Sequence, residues 1–214
     1  MTRQDVHREI RRARAGDVTG TSALIAAAFH ELDVSAWLVP DPGERIQALT
    51  GDFRIFVEHA LTHGAIHLLE DDAGELSAAA VWFPQVTGPT PPPADYDARL
   101  VAACGPATPR FQVLDQRFEE THPDTFPHHF LALCATRPGL QGRGLGTVLL
   151  DYHHRHLDHL GTPAFLHASC ARSRDLYLRL GYECVGNPFR LPDGPPMWPM
   201  WRDPRGSNEP PARE

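Results

Sequence analysis

The sequence predicts an α/β domain, and three observations carry that expectation. From Phe130 onward, strand-like and helix-like segments alternate. That order builds a sheet covered by helices, with ligands at the carboxyl ends of strands. A glycine-rich segment at residues 141–146 falls between one such strand and the next helix. The earlier half supplies two helical patterns and an apolar hairpin, the pieces needed to extend and cover a sheet.

Taken in order, residues 8–13 read as a short edge strand that Gly16 and Asp17 break. Asp17 is placed to cap the helix that follows, in which Leu24, Ile25, Ala28 and Phe29 recur at helical spacing. Pro40 and Pro42 interrupt. A second helix is expected from Glu44 to His63, with Ile46, Leu49, Phe53, Phe56, Val57 and Leu61 on its apolar face. Residues 65–70 and 76–83, joined by the turn-like Asp71-Asp72-Ala73-Gly74, form a hairpin. Residues 84–93 hold five prolines and one glycine and read as a surface loop or acceptor-site lid. Two short helices are expected near residues 96–104 and 109–120.

The later half is expected to run as strand 130–135, helix 144–160, strand 164–168 and helix 172–180, then strands near 182–185, 189–191 and 197–201. The chain of 214 residues, 42% hydrophobic, is read as one domain over residues 5–203. Residues 204–214 mix Pro, Gly and charge and are expected to be a disordered tail.

Composition narrows the function. The net charge of −7 argues against a nucleic-acid-binding protein, which usually shows a basic face, and suits a cationic small substrate. No apolar run approaches the ~20 residues that span a bilayer, and the N-terminus lacks a secretory apolar core. A cytoplasmic location with no membrane partner is therefore expected. Cys104, Cys134, Cys170 and Cys184 are scattered without CxxC spacing, which suits free buried thiols.

The strongest chemical signal is Gln141-Gly142-Arg143-Gly144-Leu145-Gly146, with Thr147 behind it. Three glycines in six residues let backbone approach a ligand without intervening Cβ atoms. The following helix start leaves N–H groups unpaired, and these favour a phosphate. The segment is neither a Walker loop nor a full dinucleotide fingerprint.

This segment, with Arg137-Pro138-Gly139-Leu140 before it, resembles the pyrophosphate loop of the GNAT (Gcn5-related N-acetyltransferase) superfamily. Leu176-Tyr177-Leu178-Arg179-Leu180-Gly181-Tyr182 resembles a later segment of the same family, in the right order and separation. A closer likeness is to puromycin N-acetyltransferase and its relatives. It is carried by Pro163-Ala164-Phe165-Leu166 followed by Ala171, Arg172 and Tyr177, and by Pro192-Asp193-Gly194-Pro195 followed by Trp198 and Met200.

The resemblance implies a GNAT fold: a central mixed, mostly antiparallel sheet of six to seven strands flanked by helices. It implies acetyl-CoA as co-substrate, no metal, and a primary amine of a small molecule as acceptor, such as an antibiotic or aminonucleoside in resistance or biosynthesis. By position, backbone of Leu133, Cys134 and Ala135 would pair with the pantetheine arm. Residues Gln141, Gly142, Arg143, Gly144, Leu145, Gly146 and Thr147 would hold the pyrophosphate, and Tyr177 would be the general acid. His167 stands where relatives usually carry a Glu linked to amine deprotonation, and Ser173 where they usually carry an Asn near the cofactor.

The chemistry is self-consistent. An amine attacks a thioester only when neutral, and a Lys-like amine is neutral in roughly one molecule in a few thousand at pH 7. His167 is placed to accept the amine proton and Tyr177 to protonate the departing thiolate. Each residue also has a plainer reading: Tyr177 as a core aromatic, His167 as a satisfied strand histidine, Cys170 as a small buried thiol rather than a nucleophile. His128 and His129 either line the acceptor site or form a loop exit. His153, His154, His156 and His159 suggest a metal, but without an HExxH pattern they read as a solvated helix face.

Three other functions share the donor half: acetylation of a peptide or protein amine, transfer from an acyl carrier protein, and non-catalytic acyl-CoA binding. A strand at 197–201, expected at an exposed sheet end, offers an edge for a homodimer.

Overall fold

The computed structural model describes residues 9–206. One twisted sheet divides it into two helical layers. In chain order the elements are β1 (Ile10–Arg12), α1 (Val18–Phe29), α2 (Asp33–Leu38), α3 (Pro42–His63), β2 (Ala65–Glu70) and β3 (Leu76–Gln85). Then follow α4 (Tyr96–Cys104), α5 (Thr108–Thr121), β4 (His128–Thr136), α6 (Leu145–Leu160), β5 (Ala164–Ala168), α7 (Ala171–Arg179), β6 (Glu183–Cys184), β7 (Phe189–Arg190) and β8 (Pro196–Arg202). The sheet order is β1-β2-β3-β4-β5-β8-β6, with β7 also on β8, giving eight strands. All pairings are antiparallel except β4 with β5. The architecture is the mixed, mostly antiparallel sheet flanked by helices that the resemblance implies, with eight strands rather than six to seven.

Each face of the sheet has its own core. Leu24, Ile25, Leu49, Phe53, Leu100 and Phe111 from α1, α3, α4 and α5 pack on Leu68, Ala79, Val81 and Leu133. On the other face, Leu145, Leu149, Leu150 and Leu157 of α6 and Tyr177 of α7 pack on Ala78, Ala80, Trp82 and Leu166. Burying each of those leucines contributes about 1.5–3 kcal/mol. The alternation of β3 between the two cores, Ala78, Ala80 and Trp82 to one side and Ala79 and Val81 to the other, is the two-residue period of a strand covered on both faces.

Several local expectations are corrected. Asp17 precedes α1 but does not cap it; its carboxylate accepts instead from the Arg14 N–H at 2.7 Å and pairs with Arg11. The charged neighbours outbid the helix N–H groups. A six-residue helix, α2, fills the stretch before Pro40, and α3 starts at Pro42, capped by Asp41 accepting from Gly43 N–H at 2.6 Å. Ile46 and Leu61 of α3 are exposed rather than core-facing. Pro84 belongs to β3 instead of the loop. It lies opposite His129 on β4 and past the last β2 pair, at Trp82, so its missing N–H costs no ladder bond. The strand over 197–201 is no sheet end: β8 lies between β5 and β6 and also carries β7, so its edge is already taken. Of the predicted tail, residues 204–206 carry no regular structure, while 207–214, like Arg8 of the predicted edge strand, lie outside the described residues.

Candidate active site

The site begins with a fault in the sheet. β4 and β5 pair only over His129–Leu131 and Ala164–Leu166, and then separate although both strands continue. The break coincides with a bulge: Val81 faces Leu133 but Trp82 faces Leu131, so Ala132 is the extra residue. As a result Ala132 and Leu133 both face the α1–α5 core, while Leu131 and Cys134 face the α6–α7 core.

Hydrogen-bond alternation shows which backbone groups the gap exposes. Arg137 N–H donates to Ser77 C=O at 2.9 Å, making those two a bonded pair of the β3–β4 ladder. Antiparallel pairs alternate. Ala135 and Leu133 therefore bond to β3, opposite Ala79 and Val81. Cys134 and Thr136 turn their N–H and C=O toward the gap. Of the predicted trio Leu133, Cys134 and Ala135, only Cys134 presents main-chain groups there.

The glycine loop closes one end of the gap. Gly139, Gly142 and Gly144 have φ of +82°, +78° and +81°, a backbone region that glycine adopts without Cβ strain. Gly144 is the N-cap of α6, and no side chain caps it. The first helical bond is Val148 N–H to Gly144 C=O, so the N–H groups of Leu145, Gly146 and Thr147 have no partner within the helix. Gln141 accepts from Gly139 N–H at 3.0 Å and tightens the turn. A Cβ on Gly142 would lie 3.8 Å from the Arg172 guanidinium, so Arg172 adds a cation to the cradle. Unpaired N–H groups, a helix start and an arginine fit a pyrophosphate, and exposed strand groups fit an amide-bearing arm.

α7 supplies Tyr177. Burial, with smaller effects from Cys134, Tyr182 and Cys170, raises its pKa well above 10, so the hydroxyl stays protonated. Cys170 and Ser173 cap this helix reciprocally: Ser173 Oγ donates to Cys170 C=O at 2.9 Å and accepts from its N–H at 3.2 Å. The Ser173 hydroxyl is thus committed to positioning α7. Burial pushes the Cys134 thiol up to about 12, which disfavours a thiolate.

On the other side of the gap lies an apolar chamber. A continuous cavity of about 580 Å³ runs from Gln141, Gly146 and Arg172 past Cys134, Tyr177 and His167 into a space walled by Phe29, Phe53, Phe56, Phe111, Phe118 and Phe130. His167 stacks on Phe118 at 4.6 Å and its Nε2 lies 2.9 Å from Thr121 Oγ1. Thr121 directs its only proton to Arg117 C=O at 2.8 Å, so it accepts from His167. The Nε2–H tautomer follows, and Nδ1, buried and without a partner, carries a lone pair. Burial lowers the His167 pKa to about 3, with His122 adding repulsion, so the ring is neutral at pH 7.

Other histidines are placed differently from the sequence reading. His153 and His154 are not a solvated face: each is 3% exposed. His153 stacks on Trp82 and bridges His67 and His129 at 2.9 and 3.0 Å, and His154 bonds the Tyr182 hydroxyl at 2.9 Å. Ring edges satisfied by other rings let these polar residues enter a core that periodicity alone would leave apolar. His128 is fully buried and His129 binds His153; neither lines the cavity. The 86–93 loop also lies away from it, with Pro91 C=O held by His59. Among the described residues no group of three His, Cys, Asp or Glu side chains is arranged to hold a metal, and no helix is long and apolar enough to cross a membrane.

Sequence reasoning missed Arg172 as a cradle residue, Thr121 as the histidine's anchor, and Asp52 and Asp115, two carboxylates lining the chamber. For Arg172 the one local signal was its place at the start of the helix predicted after strand 164–168. The others lie on helices far away in sequence.

A family model described as acetyltransferase (GNAT) family matches residues 27–182. The chain is similar to a solved structure described as histone acetyltransferase HPA2 and related acetyltransferase from Corynebacterium glutamicum, with 25% identity, 94% of this chain and 98% of that one covered, and a TM-score of 0.70. It shares its fold with arylalkylamine N-acetyltransferase 2 from Aedes aegypti, at 10% identity, coverage of 93% and 100%, and a TM-score of 0.60. It likewise shares its fold with PaiA N-acetyltransferase from Thermoplasma acidophilum in complex with coenzyme A, at 8% identity, coverage of 91% and 98%, and a TM-score of 0.57.

Proposed function

Since this chain belongs to the acetyltransferase (GNAT) family, we propose that it acetylates the primary amine of a small molecule, with acetyl-CoA as donor and residues 5–203 as the catalytic domain. The observation that carries this reading is the single cavity joining the glycine loop to an aromatic chamber. Donor and acceptor can occupy it together, which supports direct transfer over an acyl-enzyme route. The raised pKa of Cys134 also argues against an acyl-enzyme on that thiol.

When bound, acetyl-CoA supplies an acyl thioester whose sulfur departs needing a proton. Backbone N–H groups from Gln141 to Thr147, including those of Gly142, Arg143, Gly144, Leu145 and Gly146, hold the pyrophosphate, with the Arg172 guanidinium beside them. Main-chain groups of Cys134 and Thr136 orient the arm, while Leu133 and Ala135 keep β4 on β3. Ser173 contributes by fixing the start of α7, and so the placement of Arg172, rather than through its hydroxyl. Tyr177 gives its proton to the departing sulfur, its high pKa keeping that proton in place until then, and the phenolate left behind recovers a proton from the nitrogen, which sheds one as the amide forms.

His167 has a narrower role than general base. A ring lowered to about 3 does not take a proton from an ammonium at pH 7. Its Nδ1 lone pair instead accepts a hydrogen bond from the neutral amine and aims the nitrogen's own lone pair. The aromatic walls around the reacting amine favour that neutral form, because burial disfavours charge.

An aromatic chamber walled by three helices supports a small acceptor over a protein segment. The likeness to puromycin N-acetyltransferase-like enzymes supports an antibiotic or aminonucleoside and a resistance or biosynthetic role in the cytoplasm. The test is release of free CoA against puromycin, other aminonucleosides, aminoglycosides, polyamines and peptides. Turnover with at least one small amine is expected. Turnover with peptides alone sinks the small-molecule reading, and inert puromycin removes the narrower likeness while leaving transfer intact.

A further inference from the structure

The far end of the chamber carries two carboxylates that the transfer chemistry does not use. Asp52 of α3 is 6% exposed, lines the cavity, and has its Oδ1 buried without a hydrogen-bond partner. Asp115 of α5 lines the same end and accepts from the Tyr96 hydroxyl at 2.7 Å. Among the described residues neither carboxylate takes part in an ion pair. Buried structural aspartates are normally capped, bonded or paired, because an unpartnered polar group in an apolar setting is costly. Asp52 has none of these, and its neighbours Leu49 and Phe53 are core residues. Burial and the adjacent Asp115 push its carboxyl well above the usual range, and burial pushes Asp115 up to about 6. A cation from outside would relieve both effects at once.

Position shows which cation. The carboxylates belong to the α1–α5 layer, whereas Tyr177 and Cys134 pack in the α6–α7 layer across the sheet. The arginines that line the cavity, Arg172 and Arg179, stand on α7 in that second layer. The cavity therefore has an anion-binding end, an aromatic middle and an anionic end.

We propose that Asp52 and Asp115 form a cation-recognition subsite, so that the acceptor is an elongated dication: one primary amine reaches the gap between β4 and β5 while a second ammonium or guanidinium group is held by the two carboxylates. This rests on the reading above that the cavity takes a small amine. It goes beyond that reading by requiring a second positive charge separated from the reacting nitrogen by an apolar spacer.

The test compares α,ω-diamines from 1,4-diaminobutane to 1,8-diaminooctane with n-alkylamines of matched length, by CoA release and by calorimetric binding to the same enzyme. At one or more lengths the diamine is expected to exceed its matched monoamine by about tenfold in kcat/KM, the size of one charge-assisted contact. In Asp52→Asn and Asp115→Asn that ratio falls toward one; a merely structural lesion lowers both substrates and leaves the ratio in place. Monoamines turned over as well as diamines at every length overturn the subsite while leaving the transferase reading standing. Diamine binding that Asp52→Asn abolishes, without CoA release from any amine, keeps the subsite and sinks the transfer reading. Absence of both binding and preference overturns the subsite outright.

Discussion

The two ends of the cavity are built from different materials. The donor end is main chain: glycine conformations, a bare helix start and an opened strand edge. The acceptor end is side chain: aromatic rings, His167 and two aspartates brought together by α1, α3, α5 and β5. A backbone-built site tolerates change in side chains but not in φ and ψ. A side-chain-built site has the opposite sensitivities. The difference explains how one fold can keep a common donor while its acceptor varies.

Acid tests the frame that holds both ends. Burial lowers His67 and His129 to about 4, His154 to about 3 and His153 to about 2. These groups bind protons more readily in the unfolded chain, so their stability contribution is complete above pH ~6.5 and is lost as pH falls toward their folded values. At pH 4.5 each of the three most buried, His67, His153 and His154, costs about 2–3 kcal/mol, a sum comparable to a typical total stability. Because His153 and His154 belong to the buried face of α6, the donor end should fail first. Acetyl-CoA binding followed by calorimetry should vanish before far-ultraviolet circular dichroism collapses. Intact donor binding at pH 4 would contradict the buried-histidine account.

The next largest effect separates chemistry from binding. Tyr177→Phe should lower kcat by on the order of 100-fold, while the dissociation constant of acetyl-CoA changes little. A variant with full turnover would remove the general acid. Gly144→Val should do the reverse. A β-branched residue at φ +81° costs upward of roughly 1–2 kcal/mol, so acetyl-CoA affinity should fall about tenfold, with acceptor KM little changed. Equal losses for both substrates would show that the two ends are not independent.

The smallest effect is expected at His167. His167→Ala should lower kcat/KM for the amine about tenfold, by the same factor at pH 7 and pH 9, because both enzymes draw on the same neutral fraction of the amine. Thr121→Val should reproduce part of this loss, because it frees the ring from its Nε2–H tautomer. A deficit that shrinks toward pH 9 would restore the general base, and an unaffected Thr121→Val would point to packing against Phe118 instead.

Legibility in the sequence follows the same division. The loop at Gln141–Gly146 is local, and three glycines beside a helix start announce its conformation within six residues. The hairpin of β2 and β3 and the period of α3 are likewise local, and these were readable. What escaped depended on partners far along the chain. Asp17 looked like a helix cap until Arg11 and Arg14 drew its carboxylate away. His153 and His154 looked solvated until Trp82, His67 and Tyr182 enclosed them. The end strand looked like an edge until β6 and β7 paired with it.

By itself, then, the sequence determined the α/β class, the order of elements apart from α2, and the glycine-rich turn that opens α6, because each rests on backbone geometry that a few neighbouring residues dictate. Only the tertiary structure decided that Cys134 rather than Leu133 or Ala135 opens toward the gap, since this depends on one bulge against β3. Only it placed an unpartnered Asp52 beside Asp115, 63 positions apart in the chain (115 − 52), in the same chamber as His167. Side-chain sites of that kind exist only when separate helices pack, and no local pattern encodes which of their polar residues will face one another.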